Sequence, residues 1–200
     1  MEMFLVAILW VVNFAISYWN CKVVGSSWHA TKAMGGWIRF MNWMGAIMGA
    51  CGFSWCLLII FALGGAAIFP TYVTPVILKG SLSLGYLMII PPILFSGYAI
   101  WAESLIQAWR ERSFVSIAAA GWNSFANIYN TISAFENVPI AFGDVGKMFE
   151  DIDDPKAGLA IVGVLIALLA VLGGVVVAAS IIKFYANREK SEAYNMVKAA

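Results

Sequence analysis

Long stretches without a charge organise this chain. No Asp, Glu, Lys or Arg occurs in residues 3–21, 40–78, 80–102, 113–135 or 157–182. A helix needs about 20 apolar residues to cross the hydrocarbon core of a bilayer, so each run is a candidate span. The run 40–78 is too long for one crossing and is cut where Phe69, Pro70, Thr71 and Pro75 end a helix and make a turn. The pattern predicts an all-α, polytopic integral membrane protein with helices at about 3–21, 43–69, 82–109 and 157–183, and 113–135 as a fifth amphipathic helix that either spans or lies on the surface.

Between these helices the pattern leaves a Trp-rich interfacial segment at 20–42, an acidic loop at 136–156 and a polar tail at 184–200, all in one membrane domain. Asp154 before Pro155 is a start signal for the last helix, and Lys183, Arg188 and Lys190 suit its carboxyl end. The amino-terminal run lacks a basic flank and a small-residue cleavage pattern, so it is expected to be a retained membrane helix rather than a signal sequence.

Basic residues distinguish four crossings from five, because cytoplasmic loops are enriched in Lys and Arg. With four crossings the two sides hold seven and five. With five, one side holds Lys22, Lys32, Arg39, Arg110, Arg112, Lys183, Arg188, Lys190 and Lys198, nine against three on the other. Five crossings fit better, with the amino terminus outside and the carboxyl terminus cytoplasmic. In segment 113–135, Ser116, Asn123, Asn127 and Asn130 form an amide stripe opposite Phe114, Ile117, Trp122, Phe125 and Ile128. If the segment spans, that stripe must face protein or water, since a bare amide in hydrocarbon is costly.

Composition sharpens the picture. Of 200 residues, 62% are hydrophobic and 12% charged, about half the charged share of a soluble domain, and mean hydropathy is +0.84. A net charge of +1 provides no field for nucleic acid, which is excluded as a partner. Cys21, Cys51 and Cys56 are an odd set of apolar fillers, and one His rules out a bis-histidine haem or a multi-histidine zinc site within one chain. No cofactor, metal site or catalytic residue is expected. Glu150, Asp151, Asp153 and Asp154 lack the ligand spacing of a calcium loop.

The remaining candidates are structural or path-forming. Gly45, Gly49 and Gly52, and Gly163, Ala167, Ala170 and Gly174, form small-residue faces suited to close helix packing. Pro91 and Pro92 remove amide donors opposite the carbonyls of Leu87 and Met88 and predict a kink. Glu103 is read as the one ionisable residue at membrane depth, sharing a face with Gln107 and Arg110. Lys22, Trp28, Lys32, Trp37 and Arg39 have the composition of a lipid-interface anchor.

These features suggest a small non-catalytic membrane subunit, homo-oligomeric or joined to other membrane subunits. Glu103, Gln107, Asn123, Asn127 and Asn130 would border a pore or translocation path. The alternatives are a solute or ion transporter subunit with a helix broken at Pro91–Pro92, and a structural scaffold of a secretion, virion or respiratory complex.

Overall fold

The computed structural model describes residues 2–150 and 157–199 and contains six helices among them. They are α1 (Glu2–Ser26), α2 (Trp28–Met34), α3 (Gly36–Ile68), α4 (Pro75–Glu111), α5 (Phe114–Glu150) and α6 (Ala157–Ala199). Four helical segments are long and apolar enough to cross a membrane: Val6–Ser26, Gly36–Ile68, Pro75–Glu111 and Gly158–Ala193. The protein is an all-α, multi-pass integral membrane protein, the architecture in which every backbone amide is satisfied within its own segment.

Local chemistry sets the turns. Gly35 and Gly36 both have positive φ, which lets α2 pass into α3 without the strain a side chain would add there. The Thr74 hydroxyl accepts from the Ile77 N–H at 3.4 Å, and Pro75 occupies the first position of α4, where its missing N–H costs nothing. Arg112, in the left-handed region, ends α4, and the Ser113 hydroxyl then accepts from the Ser116 N–H at 3.1 Å to start α5. A two-residue connection therefore folds α5 straight back along α4.

The five long helices alternate in direction. Gly45, Gly49 and Gly52 of α3 meet Val24, Cys21 and Ser17 of α1, so those helices are antiparallel. Gly85 of α4 meets Leu58, and Phe40 meets Phe95, so α4 runs opposite to α3. Gly174 of α6 lies against Ser54, and Gly163 against Ser81 and Met148. Ala167 and Ala170 are fully buried with Leu58. The small-residue faces thus meet helices of the same chain, where missing side chains let backbones approach and dispersion contacts accumulate.

Several boundaries differ from the sequence pattern. Residues 136–150 belong to α5 and are not a loop. Apolar spacing continues through Val138, Ala141, Val145 and Met148, and Pro139 is accommodated inside the helix. The segment 184–199 continues α6 rather than forming a tail, with Arg188 Nε and Glu192 Oε1 paired at 2.7 Å one turn apart. The interfacial segment 20–42 is the end of α1, all of α2 and the start of α3, and α4 begins at Pro75 rather than 82. Helix α4 continues without interruption through Pro91 and Pro92, so the helix is not broken there. The expected Asp154–Pro155 start lies outside the described residues.

Helix α5 is not among the four segments that meet the apolar criterion, yet it extends the whole length of α4. Trp101 Nε1 donates to Ser124 Oγ at 2.7 Å, Tyr98 and Thr131 share a 2.7 Å hydrogen bond, and Asp144 meets Ser83 and Lys79 at the far end. Ser116, Asn127 and Asp144 are buried, while Phe114, Phe125, Ile128, Ile132 and Phe135 are exposed. This inside-out arrangement is the reverse of a water-facing amphipathic helix.

Candidate functional site

Contacts between the helices define a common middle level. Gly52 is the central residue of α3, and its carbonyl accepts from Asn13 Nδ2 of α1 at 3.0 Å. Ser54, half a turn on, donates to the Val171 carbonyl of α6 at 3.1 Å. Ile89 and Ile90 of α4 and Asn130 and Ser133 of α5 line one cavity with Asn13 and Gly52. The middles of the uncharged runs of α1, α3, α4 and α6 therefore coincide in space.

At this level lies a groove of about 380 Å³, walled by α1 and α5 and floored by α3 and α4. Its polar lining includes Asn13, Ser17, Asn20, Tyr86, Tyr129, Asn130 and Ser133. A second cavity, also about 380 Å³, shares Trp55, Tyr86 and Ser133 with the first and continues past Ser83 and Asn137 to Asp144 and Lys79. The two cavities adjoin at those shared residues, and a track of recurring polar side chains follows their mainly apolar walls from Asp144, past the middle level, to Asn20. Along it the Tyr86 hydroxyl donates to the Ser133 carbonyl at 3.4 Å, and Asn13 also donates to Cys56 Sγ at 3.2 Å. At its end Asp144, 7% exposed, accepts from Ser83 and pairs with Lys79 Nζ at 3.1 Å. The missing amides of Pro91 and Pro92 free the carbonyls of Leu87 and Met88 within a turn of Ile89 and Ile90.

Of the amide stripe read from sequence, only Asn130 lines the groove. Asn127 is buried against α4. Its Nδ2 donates to the Asn123 carbonyl at 2.8 Å, while its Oδ1 has no hydrogen-bond partner and abuts the space a side chain at Gly97 would fill. Asn123 is half-buried and contributes that carbonyl. Glu103 lies 13 residues beyond Ile90, about 20 Å along the helix. There it accepts from Trp37 Nε1 at 2.5 Å and from Gln107 Nε2 at 3.3 Å, at the start of α3. It is thus at one end of the bundle, not at its middle.

The charge found at the middle is Glu136. It follows Ser133 by three residues and is exposed. Among the described residues it is the only charged side chain within two helical turns of the middle level. Pattern reading missed it because it ends an uncharged run and precedes Pro139. The apolar spacing that continues to Met148 was the available signal.

At the end of the bundle where α1 and α4 finish, Lys22 lies over the Trp19 ring at 5.1 Å and the Tyr185 ring at 5.9 Å. Arg39 lies over the Trp28 ring at 3.9 Å, near Trp43 at 5.6 Å, and donates to the Trp28 carbonyl. Lys32 is exposed, and Glu189 of α6 accepts from the His29 and Ala30 amides that open α2. Lys22, Lys32, Arg39, Arg110, Arg112, Lys183, Arg188 and Lys190 all lie toward this end, and Lys79 and Lys147 toward the other. Among the described residues no group of three His, Cys, Asp or Glu is arranged to hold a metal. No family model, curated protein or solved structure matches the chain.

Proposed function

We propose that this protein is a non-catalytic membrane subunit of an oligomeric or multi-protein assembly, in which the α1–α5 groove borders a translocation path. In this reading α5 is a fifth crossing, the amino terminus is outside, and the basic end of the bundle is cytoplasmic. The observation that carries it is the track of polar side chains from Asp144 to Asn20 along two adjoining cavities, which includes Asn13, Asn130 and Ser133 at the middle level of the bundle. Amides and hydroxyls at that depth are costly against lipid and are accommodated where they face water or a passing solute. One side of the groove is left open because α1 and α5 flank it without packing on each other, which suits completion by another chain. The continuity of α4 weighs against the transporter reading that needed a broken helix there.

Solvent access tests the reading without knowledge of the partner. Asn13→Cys and Asn130→Cys, made with Cys21, Cys51 and Cys56 replaced by Ala, should react with a small water-borne methanethiosulfonate in intact membranes. Phe125→Cys, on the exposed apolar face, should react at least tenfold more slowly. Groove positions as inert as Phe125→Cys would overturn the proposal.

A further inference from the structure

The outer face of α5 carries a charge that no cation among the described residues neutralises. Glu136 is exposed among Ile132, Tyr129 and Ile140, and it lines neither cavity although Ser133 and Asn137 line them. The two ion pairs among the described residues are Lys79–Asp144 and Arg188–Glu192, so Glu136 is in neither. Lys147, on nearly the same face, is 11 residues away, about 16 Å along the helix, and Lys79 already holds Asp144. An ionised carboxylate at that depth facing hydrocarbon is strongly disfavoured unless a cation or a strong donor meets it.

We infer that the outer face of α5 around Glu136 receives a transmembrane helix of a different protein, which presents a Lys or Arg at mid-bilayer to this carboxylate. A second copy offers the carboxylate no cation. In either orientation its own middle level would meet Glu136, and that level holds no cation among the described residues. The surrounding surface suits a helix partner. Trp122, Phe125 and Tyr129 form an aromatic ladder, tilted at its first step and stacked at its second, with centroids 6.1 and 6.3 Å apart, leading down to Glu136 beside the open rim of the groove. A helix seated there would cover the rim, so the inference rests on the reading that α5 crosses the bilayer.

The experiment uses the full chain in lipid vesicles, with synthetic poly-leucine transmembrane helices bearing one central Lys, Gln or Leu, and association read by energy transfer between labels. The Lys helix should associate at least tenfold more tightly than the Leu helix. Glu136→Gln should abolish that preference, while Glu103→Gln should leave it intact. Equal association of the Lys and Leu helices, or a Lys preference that survives Glu136→Gln, would overturn the inference. So would self-association of the protein that excludes the Lys helix from this face. Glu136→Cys tells the two failures apart: rapid labelling by a membrane-impermeant maleimide places the residue in bulk water and removes the crossing of α5 itself. Slow labelling with no Lys preference removes only the partner.

Discussion

The pair most informative about polar groups in this bundle is Lys79 and Asp144. The carboxylate is 7% exposed while the lysine side chain is 67% exposed, so the two partners differ sharply in what they lose when separated. Removing the exposed cation leaves a buried carboxylate held by Ser83 alone, whereas neutralising the carboxylate leaves a lysine free to enter water. Lys79→Met should therefore destabilise the protein by about 1–3 kcal/mol, more than Asp144→Asn does, and the double variant should recover most of the loss. Thermal unfolding in one detergent measures this, and equal effects of the two single changes would contradict the assignment. Glu103 and Glu136 show why residue identity alone misplaces such groups. Counting from the uncharged runs puts Glu103 in the membrane, but depth is set by which residues of neighbouring helices meet, and those contacts put Glu136 at the middle.

At the scale of elements, hydropathy and turn chemistry made most of the helices legible. Phe69, Pro70 and Pro75 marked the α3–α4 turn, and the change of pattern near 113 marked the α4–α5 turn, because prolines and caps act locally. The length of α5 was not legible, since Pro139 and the acids after 135 resemble a loop until packing against α4 is known. The groove was also hidden. Its lining comes from α1, α3, α4 and α5, and no spacing within one helix reveals a wall shared among four. The return of α5 to the start of α4 can be tested directly. A side chain built at Gly80 would stand 2.7 Å from Met148 Cβ, about 1 Å short of the Cβ separation of a disulfide, so Gly80→Cys with Met148→Cys can bridge the helices once they part by that much. Oxidation should cross-link the two helices in nearly every molecule, read after cleavage at the α4–α5 turn. An uncross-linked product would show that α5 ends elsewhere.

At the scale of the whole molecule, five alternating helices place the cations unequally: nine of the described basic residues lie toward one end and two toward the other. Aromatic rings hold Lys22 and Arg39 at the more basic end, where amphipathic side chains settle at a lipid surface. This asymmetry, the polar track and the position of Glu136 all depend on α5 crossing the bilayer alongside α4. The measurement that tests this most directly is sidedness in intact cells of single cysteines at Ser113, in the α4–α5 turn, and at Lys147, near the end of α5. Impermeant maleimide should reach Lys147→Cys from outside and should reach Ser113→Cys only after the membrane is opened. Labelling of both positions from the same side would contradict the account, leaving α5 on the surface and the groove without a place in the bilayer.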